Sequence, residues 1–512
     1  MKQRNKISIV LCIVVSTILL YFSVCGVLYL FEPISYNSPD LSQADYSFNL
    51  YKKFSSDNNS SFYIKQISYK DVVSAKDDFR LKYIDDTIIV IADDNSSQEQ
   101  LTSLFDSINA EICGFIDIID FYQITVSADT YDELSNICSK LNSNNLVEYA
   151  MIDYFEETPT NNEESTDDFI FRNTYDMYYY ELLDLDKVYK LISDEVFRDI
   201  RVGVFDTPVY YNNKQLNVIN TDDYDDFILD QEIFSGSASH GTHVSGIIAA
   251  ESDNKLCGVV PGASVYSENA TNNSVSYWIA SLTNMIVNEN IRAINISMGY
   301  NSYIPVSASL GDEFSIQFVI SENMLFEAVL DNILDAGYEY VICIAAGNEA
   351  NTELYKTRTS LFGYGDKELL SKLDLFNLFS SKPRFCDTSY QLCFNSIENN
   401  EVRDRIIIVS SCNNQMKLSS FSSLGDRVDI VAPGEDIHST GFYFKEEIMS
   451  GTSMAAPFVT GVAALLFELD DNLTGSEIKN ILISSSDEII SYRGFNYPLL
   501  NIYNAVKYVM NK

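Results

Sequence analysis

Ser453 lies in the segment GTSMAAP, directly ahead of FVTGVAALLFEL, a run with the composition of a strong helix. A serine at a helix N-terminus has a backbone N–H without an intrahelical partner, and the helix dipole favours negative charge there. That combination suits a nucleophile whose attack creates an oxyanion. Pro457 is expected in the first turn, where its missing N–H is not needed. His240 opens HGTHVSGIIAA, in which the small residues Gly241, Ser245 and Gly246 let the following helix pack closely. Asp206 follows the apolar run RVGVF (201–205), so its carboxylate projects from a strand end, and Asn348 ends YVICIAA (340–346) within AAGNEA. Acyl transfer by serine needs a nucleophile, a base, a group that orients the base, and oxyanion donors. These four residues can supply one role each. Singly, Asp206 and Asn348 carry little weight, because a chain with 73 acidic residues has many turn aspartates and turn asparagines are common. His243, one turn beyond His240, reads as structural, and His438 is expected in a loop with no role.

Such residues meet only if strands carry them to one edge. RVGVF, IRAINIS (291–297), YVICIAA, RIIIVS (405–410) and VDIVA (428–432) are near-continuous apolar runs. Helical stripes lie between several of them, such as Ile279/Leu282/Met285/Ile286 and Met324 to Leu334. Strands apolar on both faces imply a parallel sheet covered by helices, and such sheets build their sites at the carboxyl ends of the strands. A smaller pattern precedes this one. It comprises the strand TIIVIA (87–92), a helix from Ser97 to Ile108 opened by a Ser97/Gln100 capping pair, and strands around Ile112–Ile119 and Tyr122–Val126. A helix carrying Tyr131, Leu134, Cys138 and Leu141 and the strand VEYAMI (147–152) complete it. The order β-α-β-β-α-β is ferredoxin-like and by itself names no function.

The order Asp206, His240, Asn348, Ser453 and the segments DTP, HGTHVSG, AAGN and GTSMAAP resemble the subtilisin-like serine proteases. GVVPGASVY (258–266), NISMG (295–299), SSFSSLGDRVDIVAPGEDIHST (419–440) and LLNIYNAVKYV (499–509) are similar to the stretches between and after that family's motifs. The resemblance implies an α/β fold with a subtilisin-like parallel sheet flanked by helices, preceded by a small ferredoxin-like α+β pro-domain. It implies a serine endopeptidase in which Ser453 attacks the carbonyl, His240 is the base and Asp206 orients it. Asn348 and the Ser453 N–H would bind the oxyanion, and Ser297, Met298 and Gly299 would pair with the substrate backbone as an added strand. The chain departs from the family at Pro208, where a glycine is usual. Proline fixes φ near −65°, which bears on how the Asp206 loop turns. No cofactor is implied. No metal ligands are assigned, because Glu251 to Gly258 is short and lacks the family's calcium pattern, and calcium elsewhere is left open.

The 512 residues suffice for two domains, and 46% hydrophobic content allows a large core. Lys2, Arg4 and Lys6 precede an uncharged run from Ile7 to Phe31, long enough to span a bilayer. Residues 1–31 are therefore expected to be a signal anchor, with a cleavable signal peptide as the rival. Either places the rest of the chain on the extracellular face of the membrane or in the medium. Residues 32–78 read as a linker, 79–155 as the pro-domain, 156–178 as an acidic linker holding a processing site, and 179–512 as the catalytic domain. The expected partners are a peptide or protein substrate, the chain's own pro-domain as folding aid and inhibitor, and the membrane. A net charge of −39 excludes nucleic acid, whose phosphates demand Lys and Arg. Cys113, Cys138, Cys257 and Cys343 sit on apolar stripes as small hydrophobes. Cys386 and Cys393 are either a small disulfide loop or two free thiols. Insertions at about 300–320 and 350–402 are open to two readings, a substrate gate or surface decoration. A catalytically silent cell-surface binding protein on the same scaffold is the alternative function, as is an independent binding role for 79–155. An esterase is disfavoured, since no G-x-S-x-G elbow is present.

Overall fold

The run TIIVIA lacks polar alternation because both faces of its strand are covered. In the computed structural model it belongs to β1 (Lys82–Ala92), and Ile88, Ile89, Val90 and Ile91 are all fully buried. The structure describes residues 62–65, 67, 69–74, 82–156, 177–219, 238–251, 256–270, 273–298, 313–348, 353–354, 394, 397, 399–425, 427–442, 446–492 and 494–512. The N-terminal apolar segment, residues 157–176, Gly299, most of both insertions, and Cys12, Cys25, Cys386 and Cys393 lie outside the described residues.

After β1 come α1 (Gln98–Ser107), β2 (Glu111–Ile116), β3 (Phe121–Thr125), α2 (Tyr131–Leu141) and β4 (Val147–Glu156). The Ser97 hydroxyl accepts from the Gln100 N–H and the Gln100 side chain accepts from the Ser97 N–H, which satisfies two donors at the start of α1. The strand expected to run to Ile119 stops at Ile116. A short 3₁₀ turn, Asp117–Ile119, and a left-handed Asp120 (φ 48°) then reverse the chain into β3. The strands pair antiparallel in the order β2–β3–β1–β4, the ferredoxin-like arrangement. Part of the stretch read as a linker belongs to this sheet: Phe62–Tyr63 pairs with β2 and Val72–Ser74 with β1. Strands of two and three residues are too short to show a period in the sequence, which is why they were illegible there.

The second sheet is built from β5 (Arg201–Asp206), β6 (Ser264–Asn269), β8 (Ala293–Ile296), β9 (Val341–Ala345), β10 (Ile406–Cys412) and β11 (Ile430–Pro433), with α3 (Ala238–Ala249), a two-residue β7 (Asn273–Ser274), α4 (Val275–Thr283) and α5 (Glu313–Asp335) between them. All its pairings are parallel, in the order β11–β10–β9–β8–β5–β6, with Asn217–Val218 on the edge. The chain first winds outward from β5 to β6 and then crosses back to β8 on the other side, so the strand order reverses at β5. Strand residues alternate between two cores. Val202, Val204, Val341, Cys343, Ile407 and Val409 face α3 and the later helices, whereas Phe205, Ile294, Ile344 and Ile408 face α4 and α5.

Beyond β11, the hairpin β12 (Ile437–Thr440) and β13 (Glu446–Met449) is followed by α6 (Thr452–Leu469), α7 (Gly475–Ser484) and α8 (Ile502–Met510). His438, expected in a loop, is a buried residue of β12 whose imidazole meets the Glu446 carboxylate at 3.0 Å. Among the described residues α6 is the one helix long and apolar enough to cross a membrane, and it is instead buried in the centre of the domain. Pro457 is also placed differently from expectation. It is the sixth helical residue, where its missing N–H deprives the Ser453 carbonyl of its helical partner, and the Ser297 hydroxyl donates to that carbonyl instead (3.0 Å).

The two sheets belong to one compact unit, Tyr51–Lys512. The face of the first sheet away from α1 and α2 lies against α4 and α5, in one continuous apolar cluster that includes Ile89, Trp278, Leu325 and Val329. β7 adds to the edge of β4, pairing Asn273 with Glu156 and Ser274 with Phe155. At this seam Asp153 is fully buried and receives hydrogen bonds from Gln123 Nε2 (2.9 Å), Ser276 Oγ (2.6 Å) and the Ser276 N–H (3.1 Å) at the start of α4. Burial pushes the Asp153 carboxyl up to about 6, against the pull of those hydrogen bonds and of Lys65.

A carboxyl that holds its proton more tightly when packed favours the packed state in acid and loses that contribution as pH rises through about 6. A shift from 3.8 to about 6 corresponds to on the order of 3 kcal/mol. In urea unfolding of chains carrying Ser453→Ala, the stability difference between Asp153 and Asp153→Asn should move in favour of Asp153 between about pH 7 and about pH 4. A difference that stays constant would remove Asp153 from the pH dependence of this seam.

Candidate active site

Strand direction brings the chemistry to one edge. Asp206 is the last residue of β5, at the point where the strand order reverses. Ser297 follows β8, Asn348 lies three residues beyond β9, and His240 and Ser453 stand in the first turns of α3 and α6. All five therefore lie at strand carboxyl ends or helix N-termini.

Asp206 is fully buried, and its Oδ1 meets His240 Nδ1 at 2.6 Å and accepts the Thr207 N–H at 2.7 Å. An ionised carboxylate only accepts, so Nδ1 carries the proton and Nε2 keeps its lone pair for base chemistry. The first turn of α3 is pressed against the same loop. The Gly241 N–H donates to the Thr207 hydroxyl at 2.8 Å, and a Cβ on Gly241 would lie 2.1 Å from the Thr207 carbonyl oxygen. Only glycine allows this approach. Pro208 is buried in the turn, and the Asp206–His240 contact is short with proline in place.

His243 is separate from this pair. It is fully buried, with Nε2 between the carbonyls of Ile437 (3.0 Å) and Glu447 (3.1 Å). Desolvation, with the nearby His240, pushes it down to about 3, so it is a neutral donor that ties α3 to the hairpin.

Ser453 is half-buried. Its hydroxyl donates to the Ser297 carbonyl at 3.0 Å, while the Ser297 hydroxyl donates to the Ser453 carbonyl. Behind them, Asn295 Nδ2 donates to Ser297 Oγ (2.9 Å) and Asn295 Oδ1 accepts from Thr460 of α6 (3.1 Å). Asn295 and Thr460 were not singled out from the sequence. A buried Asn in the apolar strand AINI was the available signal, since a buried amide must be satisfied by something specific.

Asn348 Oδ1 accepts from the Thr452 N–H (2.9 Å) and the Thr452 hydroxyl (3.1 Å), and that hydroxyl receives the Gly347 N–H (3.0 Å). With its oxygen committed to Thr452, the amide presents Nδ2 on its other side. A Cβ built on Gly451 would lie 3.3 Å from Asn348 Nδ2 and 3.6 Å from the Ser453 nitrogen, so the two donors face one small space. Met298 is half-buried against the core beside α4, and Gly299 lies outside the described residues. Among the described residues no group of three or more His, Cys, Asp or Glu side chains could hold a metal ion.

The chain has known relatives. The chain is 28% identical over 386 residues to a thermophilic serine proteinase of Bacillus sp. (strain AK1), a match covering 73% of this chain and 76% of that one. It is 30% identical over 279 residues to an intracellular serine protease of Paenibacillus polymyxa, covering 53% and 68%. The crystal structure of an epidermin leader peptide processing serine protease mutant from Staphylococcus aureus shares the fold. Its TM-score is 0.54 at 15% identity, over 83% of this chain and 99% of that one. The profile of the subtilase family matches residues 198–499, more than half of the chain; the protein therefore belongs to the subtilase family and is a subtilisin-like serine endopeptidase.

Proposed function

We propose that this endopeptidase works through Asp206, His240 and Ser453, with Asn348 and the Ser453 N–H as the oxyanion donors. The observation that carries the reading is the shared space beside Gly451, bounded by Asn348 Nδ2 and the Ser453 nitrogen. Ser453 Oγ leaves the Ser297 carbonyl and attacks the scissile carbon as His240 Nε2 takes its proton. The oxyanion then enters the space between the two donors. Asp206 holds the imidazole by Nδ1 and stabilises the imidazolium, which returns its proton to the leaving amine. Water repeats the sequence on the acyl-enzyme. Ser297, Met298 and Gly299, which follow β8, pair with the substrate backbone.

The first sheet and its helices act as a pro-domain that is cut from the rest between about residues 155 and 175. Support comes from the pairing of β4 with β7 up to Glu156, immediately ahead of the acidic gap. The run from Ile7 to Phe31 with its basic flank serves as an anchor that places the catalytic domain outside the cell.

Expression of the chain from Ser38 onward, as wild type and as Ser453→Ala, tests this reading by mass spectrometry and an active-site serine probe. The wild type should lose its N-terminal unit and take the label. The variant should stay intact and unlabelled, with turnover down by about 10⁶. Two full-length, unlabelled products would instead point to a silent binding scaffold.

Asn348→Ala and Gly451→Ala examine the oxyanion donors separately from the nucleophile. Loss of one donor should lower kcat by about 10²–10³ with KM little changed. A methyl at Gly451, beside both donors, should act in the same direction without disturbing Asp206 and His240. Wild-type kcat in both variants would exclude this space as the oxyanion site.

A further inference from the structure

The helix that bears His240 is gripped from two elements. From β5 and its loop come the Asp206–His240 contact and the Thr207–Gly241 hydrogen bond. From the hairpin come five others, one of them the Ile437 carbonyl at 3.0 Å from His243 Nε2. Ser439 Oγ donates to the His243 carbonyl (2.8 Å) and Thr440 Oγ1 to the Thr242 carbonyl (2.7 Å). The remaining two involve one residue, Glu447, which pairs with Ser439 in the hairpin register. Its carboxylate accepts from the Ser239 hydroxyl and its main-chain carbonyl faces His243 Nε2 at 3.1 Å. Ser239 and His243 bracket His240, one directly before it and one almost a turn after it.

We propose that Glu447 is a positioning residue for His240, an inference that rests on His240 being the base. A main-chain carbonyl alone would hold the helix one turn in. The Glu447 side chain holds the residue adjacent to the imidazole, so it controls the angle at which the first turn leaves the hairpin. It also keeps a carboxylate near the helix N-terminus, where the helix dipole favours negative charge. The backbone is shaped for this side chain: a Cβ on Gly441 would lie 2.7 Å from Glu447 Cδ and 2.9 Å from its Oε1.

The titratable groups facing His240 among the described residues are few. Asp206 comes from β5, His243 from its own helix is neutral, and Glu447 reaches the adjacent Ser239 from β13, whose Glu446 turns instead to His438. Two carboxylates near an imidazole favour its protonated form, so neutralising one lets the base lose its proton at lower pH.

The test is steady-state kinetics of the full chain on one chromogenic peptide, from about pH 5 to about pH 9. The variants are Glu447→Gln, Ser239→Ala, Gly441→Ala and His240→Ala. Glu447→Gln, which keeps the shape and one acceptor oxygen, should move the acid limb of kcat/KM to lower pH. Ser239→Ala and Gly441→Ala should lower kcat by roughly ten-fold with KM within about two-fold, the split expected when geometry is lost but binding is kept. An acid limb unmoved in Glu447→Gln, or kcat within about two-fold of wild type in both other variants, overturns the proposal. If these results come while His240→Ala is inactive, only the positioning role falls. If His240→Ala keeps wild-type turnover, the assignment of the base falls with it.

Discussion

Helix α6 is buried over nearly its whole length, and the site depends on that burial. From Met454 to Phe467 every side chain lies in the core, enclosed by the sheet, α3 and the C-terminal helices. Ser453 stands one residue ahead of this stretch, so its position is fixed by the packing of the following turns rather than by a loop. A core packed this tightly tolerates few alternatives, and it transfers its rigidity to the first turn. The same burial explains the polar groups around the start of α6. Pro457 frees the Ser453 carbonyl, and a free carbonyl in a dry core must find a donor, which Ser297 supplies. Ser297 is held by Asn295, and Asn295 is tied back to α6 through Thr460. A helix irregularity thus links Ser453 to the strand that leads to Ser297 and Met298.

Polar residues in an otherwise apolar interior concentrate where something must be aimed. Asn295, Ser297, Thr452 and Thr460 surround the serine, while Ser439, Thr440 and His243 hold the histidine helix. Asp153, Gln123 and Ser276 occupy the seam between the two sheets. Apolar packing is non-directional, so it can hold two elements together in several registers. A buried donor and acceptor accept only one arrangement, because any other leaves an unsatisfied group costing about 1–3 kcal/mol. In the seam this matters for register, since a two-residue pairing of β4 with β7 is too short to fix itself.

The architecture was largely legible in the sequence because its strands are buried on both faces. RVGVF, YVICIAA, RIIIVS and VDIVA each coincide with a strand of the parallel sheet, with ends displaced by at most two residues. One strand of this sheet that was missed is β6, SVYSEN. Its buried Glu268 accepts from the Tyr277 hydroxyl (2.9 Å) and Ser267 is buried beside it, so a core strand carries a polar composition. His438 was misplaced for a related reason. IHST has no apolar period, and its strand exists through pairing with β13, a long-range contact that local pattern cannot report. Pro457 was misread because the helix starts at Thr452, five residues before it, and sequence pattern fixes a helix start only to within a few residues.

The residues proposed as catalytic stand in sequence motifs, and their supporting contacts do not. Asp206, His240, Asn348 and Ser453 stand in local segments of distinctive composition. By contrast, Thr452, Asn295 and Glu447 act across 104, 165 and 208 residues, in their contacts with Asn348, Thr460 and Ser239. A threonine beside a serine, or a glutamate in a charged hairpin, has an ordinary appearance until the fold brings its partner close. The difference is one of physical range. The reacting groups must sit at the ends of regular elements, which local sequence specifies, whereas the groups that orient them are chosen by proximity in the folded chain. In a chain with 73 acidic residues, composition cannot distinguish Glu447 from the others. What sets it apart is that its side chain and its main chain reach the same helix on either side of the histidine.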